Sequence, residues 1–438
     1  MTLLIISPDY ASHLLPLATL GAAWKEAGER VVVATGPATD SIVRSFGFER
    51  VNLQLGKGSN PGVIRAEEQP AGEDDALRGF FDATRVGMVE TLRFQAEARS
   101  SDLMWEPVQT ARAVQRVVTE VAPDAIVVDH LAFSARLAVS ALGVPYADVV
   151  LGHPSALPLP ALGEVYGFPP AWPAAFTPDA AELAELRALS ERVSASFTAE
   201  WNAALSGLAP NAPVSRDAFA EHGSLLLYNY PAELSPAART AELPPHVFLG
   251  ASVRSEPVDE EVAAWIASGD EPIVYVSFGS FLSVRSDVLA RVAAALASLP
   301  GVRAAIAVGS ADRAALGELP STWLVREFLP QVTLLDAAAA AVTHGGNNSV
   351  TESMRAGVPL VVLPFSTDQF AGAAALVDAG FAVALDPNRA SAAEIAAAVS
   401  TVLALPAAPA SRLAALARAL RAAPGAARAR AALAALRP

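Results

Sequence analysis

Short, unbroken apolar runs recur along this chain, each followed by a stretch with helical periodicity, and no other feature restricts the fold as much. LLIIS (3–7) precedes the amphipathic PLATLGAAWKEAG (16–28) and then VVVAT (31–35). DAIVVD (124–129), FSARLAVSALG (133–143) and PYADVV (145–150) repeat the pattern, as do IVYVSFG (273–279), DVLARVAAALASL (287–299) and RAAIAVG (303–309). A last series runs from AAAVTHGG (339–346) through a helix ending near Ala356 to PLVVLPF (359–365) and a further helix after Asp368. Strands apolar throughout are buried on both faces, so the expectation is an α/β molecule with parallel sheets covered by helices.

At 438 residues the chain is too long for one ordinary core. The two series are separated by a Pro-rich segment from Tyr230 to Pro272, which reads as a linker with a short strand, HVFLG (246–250), near its end. Two doubly wound domains facing across a cleft are expected, over residues 1–235 and 236–408, followed by a tail over 409–438. The insert from Leu55 to Trp105 is less regular, and its Phe80, Phe81 and Met88 are candidates for lining an apolar pocket. From Ser411 the tail is rich in Ala and Leu, with Arg412, Arg418, Arg421, Arg428, Arg430, Arg437 and no acids. Broken at Pro424-Gly425, it reads as two helices packed on an acidic body.

Net charge is -14, which argues against a nucleic-acid or anionic-membrane partner. Cysteine is absent, so disulfides are excluded. The start, MTLLIISPDY, has no basic n-region, and no segment reaches the roughly 20 apolar residues of a membrane span, so a cytoplasmic protein is expected. A tight His/Asp/Glu cluster is not visible, and no metal is expected. No G-x-G-x-x-G follows LLIIS or IVYVS, and there is no P-loop, so neither a dinucleotide cofactor nor any other is expected.

The chemistry gathers in VTHGGNNSVTESMRAGVPLVVLPFSTDQF (342–370). A buried strand ends there, GG turns the backbone, and Asn347, Asn348 or Ser349 is placed to cap a helix whose free N–H groups form an anion site. S-V-T-E is also a possible capping box, with Glu352 returning to its own helix, and Asp368 a possible N-cap. The combination of His344, Gly346, the helix start, Glu352 and Asp368-Gln369 at a second strand end points to a nucleoside-diphosphate site. Gly279 and Ser280, in the turn SFGS (277–280), are placed to add donors to the same phosphates.

FLPQ (328–331), HGGNNSVTE (344–352) and DQ (368–369) are spaced as in the inverting glycosyltransferases of plant secondary metabolism and bacterial antibiotic synthesis, which this half of the chain resembles. The resemblance implies a GT-B fold, with a UDP- or dTDP-sugar as co-substrate in the second domain. It implies Phe328 stacked on the base with Leu329 and Gln331 beside it. His344, Asn348 and Ser349 would bind the diphosphate, Glu352 the ribose, and Asp368 and Gln369 the sugar. Phe328 stands where Trp is common, and Asn347 where plant members often have Trp.

In the other half, His13 follows the first strand and Asp129 ends another strand of the same sheet. On the residues alone, a satisfied surface histidine and a base facing the cleft both remain open. SHLLP (12–16) resembles the family's G-H-x-x-P with Ser for Gly, and Asp129 matches its Asp partner, which implies a catalytic dyad. His130 should turn to the opposite face. His153, in LGHPSALPLP (151–160), sits in a candidate acceptor loop. The resemblance further implies that the tail packs back on the first domain. The expected function is inverting sugar transfer to a small, largely apolar natural-product acceptor. An epimerase on the same fold and a non-catalytic nucleotide-sugar-binding helper are the alternatives.

Overall fold

In the computed structural model, which describes residues 1–62 and 73–435, the apolar runs form two parallel sheets. The first comprises β1 (Thr2–Ile6), β2 (Arg30–Thr35), β3 (Glu49–Asn52), β4 (Ala125–Asp129), β5 (Ala147–Val150), β6 (Leu225–Tyr228) and β7 (His246–Phe248), in the order β3-β2-β1-β4-β5-β6-β7. The second comprises β8 (Ile273–Ser277), β9 (Arg303–Ala307), β10 (Leu324–Arg326), β11 (Ala340–Thr343), β12 (Leu360–Val362) and β13 (Ala382–Ala384), in the order β10-β9-β8-β11-β12-β13. Strand order reverses between β1 and β4 in one sheet, and between β8 and β11 in the other. Ligands of such sheets sit outside the carboxyl ends at these switch points.

β7 pairs with β6, matching Leu226 to His246 and Tyr228 to Phe248. The boundary expected after residue 235 therefore lies beyond residue 248. Phe248 stacks on Tyr228 with centroids 5.1 Å apart, so HVFLG completes the first sheet instead of standing in a linker. The chain crosses over residues 249–259, before the helix Glu260–Ala267.

The insert supplies the helices Glu73–Val86 and Met88–Asp102, the latter packed on the long helix Ala180–Leu208. Insert residues 63–72 lie outside the described residues, as does Arg437 of the tail. The two tail helices divide between the domains. Ala407–Ala422 lies on the Asn347–Ala356 helix of the second domain, and only Gly425–Ala435 reaches the first, against the helix Ala11–Glu26 and β7. Where the tail crosses, Gly425 N–H donates to the Ala251 carbonyl at 3.3 Å, and Gly250 packs on Leu420 with no room for a side chain. Among the described residues no single helix is long and apolar enough to cross a membrane.

Candidate active site

The cleft between the sheets encloses about 890 Å³ and is lined by both domains. His13 sits in the first turn of the helix that follows β1, with 22% of its side chain exposed. Its Nδ1 is 2.8 Å from Oδ2 of Asp129, which ends β4 and is 1% exposed. The other oxygen of Asp129 accepts from the Leu131 N–H at 2.9 Å, which fixes the carboxylate. Nδ1 is occupied in this way, and Nε2 is the ring nitrogen left to act on a ligand. Burial disfavours the imidazolium of His13, but Asp129 and then Asp368 outweigh it and hold its pKa above 6.5. His130 turns away toward the buried Arg136–Asp148 pair, and burial followed by the Arg136 charge lowers its pKa.

Opposite, β11 ends at Thr343, Gly345 turns the backbone at φ +86°, and the helix Asn347–Ala356 starts from Gly346. No side chain caps that start, contrary to the expectation of an Asn or Ser cap. The alternative capping box is also absent. Glu352, 3% exposed, accepts from Arg254 Nη1 and from Gln331 Nε2, both at 2.7 Å. The first-turn N–H groups thus keep their free donors and the positive end of the helix dipole beside the cleft. The His344 ring fits against two bare glycines. A Cβ on Gly279 would come 2.9 Å from the ring, and one on Gly346 would collide with Nε2. Burial pushes the His344 pKa down to about 4, so the ring is neutral at neutral pH, and its Nδ1 has no partner among the described residues. Ser280 accepts from Asn60 Nδ2 at 3.3 Å. Phe328 stands at the rim, 59% exposed, with Leu329 and Gln331 lining the cleft beside it. Burial raises the pKa of Glu352 despite the Arg254 charge. Asn348 and Ser349 also line the cleft, and Asn348 Nδ2 reaches the Ser12 carbonyl at 3.3 Å.

Five expected contacts are placed differently. Both ends of the Asn347 amide are taken by Asn229 of the first domain, at 2.8 and 2.9 Å, so it ties the domains together instead of reaching for a sugar. Gln369 spends its carboxamide on its own turn, accepting from Phe365 N–H at 3.0 Å and Ser366 N–H at 3.2 Å. His153 is buried outside the cleft lining, bonded to Ser155 Oγ at 2.8 Å, with its pKa depressed to about 3 by burial and then by Arg239. Met88 packs in a cluster with Phe176 and Phe370, and Phe81 is buried, which leaves Phe80 alone of the three on the cleft. Phe94, Phe168, Leu131 and Leu151 complete that wall, and no local sequence signal marked them.

Asp368 does line the cleft, with Oδ2 accepting from the His153 N–H and Oδ1 from the Thr367 hydroxyl at 3.0 Å. Thr367 before it is held at φ +53°, a strained conformation for a β-branched residue that places Asp368. Arg254, beside Glu352, was missed because it stands in the crossover with no motif around it.

Residues 190–414, just over half of the chain, match the family model described as UDP-glucoronosyl and UDP-glucosyl transferase. The chain belongs to that family. Oleandomycin glycosyltransferase of Streptomyces antibioticus is 30% identical over 178 residues, covering 40% of this chain and 41% of the relative. A PGL/p-HBAD biosynthesis glycosyltransferase of Mycobacterium tuberculosis is 32% identical over 182 residues, 41% of each chain. The match thus spans about two fifths of the length of these curated relatives. The similarity of fold extends much further. The glycotransferase of kitacinnamycin superimposes over 98% of this chain and 96% of its own, with a TM-score of 0.66 at 22% identity. The calicheamicin glycosyltransferase CalG4 does so over 100% and 99%, with a TM-score of 0.65 at 21% identity. The architecture is the GT-B fold.

Proposed function

We propose that this family member transfers a sugar, with inversion, from a uridine or thymidine diphosphate sugar to a hydroxyl of a small, largely apolar acceptor. The observation that carries the reading is the His13–Asp129 pair at 2.8 Å, on the cleft wall facing the uncapped helix start at Gly346. Among solved structures of similar fold, the spinosyn rhamnosyltransferase SpnG is complexed with thymidine diphosphate in one and with spinosyn aglycone in another, ligands of the same two kinds.

In the proposed reaction, Nε2 of His13 takes the acceptor proton as the oxygen attacks the anomeric carbon from the face opposite the diphosphate. Asp129 stabilises the imidazolium that forms. The leaving diphosphate gains negative charge, which the free N–H groups at Asn348 and Ser349 and the neutral His344 ring are placed to meet. Phe328 offers a stacking face to the base, and Glu352 a carboxylate to the ribose.

His13→Ala should lower kcat by about 10²–10⁴-fold while nucleotide affinity stays unchanged. Near wild-type turnover with binding intact would remove His13 from the mechanism. Consumption of nucleotide sugar with no acceptor present would replace transfer by epimerisation.

A further inference from the structure

Resting on the reading that this cleft holds an acceptor, a further observation narrows which acceptor it holds. The first-domain wall is mainly aromatic and aliphatic, yet one turn of the Met88–Asp102 helix brings two polar side chains into it. Gln95 and Arg99, four residues apart on one helix face, both line the cleft. The Arg99 guanidinium lies 5.0 Å from the Tyr166 ring centroid. Tyr166 itself stacks on Phe219, with centroids 3.9 Å apart and planes 8° apart, so the platform under the cation is rigid. Gly167, at φ +83°, keeps the space beside it open, since a Cβ there would come 2.9 Å from Arg99 Nη1.

Among the described residues, Arg99 has no hydrogen bond and no ion pair. The other arginine lining the cleft, Arg254, is paired to Glu256 and Glu352, each at 2.7 Å. The chain carries 45 acidic residues against 31 Lys and Arg, yet none forms an ion pair with this cation among the described residues, and Asp368 acts on it only through space. One turn away, the buried Oε1 of Gln95 has no donor. A half-buried guanidinium without an ion pair, beside a buried carbonyl oxygen without a donor, leaves two polar groups on an apolar wall that a ligand can complete.

The geometry points to a carboxylate-reading subsite, in which Arg99, seated on Tyr166, binds the carboxylate of an otherwise apolar acceptor while Gln95 Oε1 accepts from an adjacent hydroxyl or N–H. A uronic acid sugar on the donor has the same chemistry.

The test uses hydroxynaphthoic acids and their methyl esters, with binding measured by calorimetry on the full chain. Wild type is expected to bind the acids about 10–100-fold more tightly than the esters. Arg99→Met, which keeps the stem, should erase that preference by weakening the acids far more than the esters. Gln95→Glu, which offers Arg99 an intramolecular partner, should do the same and guards against a folding defect in the first variant. His13→Ala should retain the binding preference while losing transfer, so failure of the catalytic reading and failure of this one are separable. Equal binding of acids and esters by wild type, no binding of either, or equal weakening of both by Arg99→Met would overturn the proposal. So would an Arg99→Met variant that loses UDP-glucuronic acid but keeps the acids.

Discussion

His13 is pulled two ways, by burial against its charged form and by a carboxylate at 2.8 Å in favour of it, with the carboxylate prevailing. As the proposed base, His13 works only when unprotonated, so kcat/KM should rise with pH through a pKa above 6.5 and level off beyond it. Asp129→Asn leaves burial unopposed by its strongest partner, so that limb should move to lower pH while kcat falls by about 10–1000-fold. A limb that stayed in place would detach Asp129 from the base. Glu352 has the opposite problem, since burial raises its pKa and Arg254 resists. If Glu352 binds the ribose as a carboxylate, Arg254→Met should make nucleotide affinity begin to fall at a higher pH as pH drops, as titration calorimetry across a pH series would show. Asp129 was legible at the end of an apolar run, whereas His13 stayed open on the residues alone and was singled out only by the resemblance of SHLLP to the family's motif. The place of Asn347 was not legible, because its partner Asn229 lies 118 residues away on the other domain and nothing local predicts the pairing.

At the level of elements, the helix Asn347–Ala356 matters for what its start lacks. Its donors are uncapped and its entry glycine is pressed against His344. Gly346→Ala should displace that ring and weaken UDP binding by about tenfold or more. An unchanged Kd by calorimetry would mean that the ring does not meet the nucleotide. The βαβ series was legible from period alone, since fully buried parallel strands carry unbroken apolar runs. The strand in HVFLG was legible too, but its place at the edge of the first sheet was not, because three residues set among prolines carry no sign of which strand they pair with. The capping residues also misled. Asn347, Asn348 and Ser349 suit a cap by chemistry, but the cap position falls one residue before the first of them, at Gly346, which leaves room for the histidine.

Across the whole molecule, the domains are joined by specific bonds as well as by covalent crossings. Asn229 to Asn347, Asn60 to Ser280 and the His153 N–H to Asp368 each span the cleft. The last helix adds a return contact, burying Ala429 and Leu433 in the cluster that holds β1 and Trp24, with Arg430 on Glu29 at 3.2 Å. Removing residues 424–438 should cost about 3 kcal/mol, chiefly from those apolar contacts, and lower the midpoint of thermal denaturation. An unchanged midpoint would make the tail dispensable. The outgoing and returning crossings also touch, with Gly425 bonded to Ala251 and Gly250 against Leu420. Two chain crossings in contact at one place tie the two halves together there. Any relative movement of the halves would change the distance between His13 and the helix start at Gly346, which lie on opposite domains.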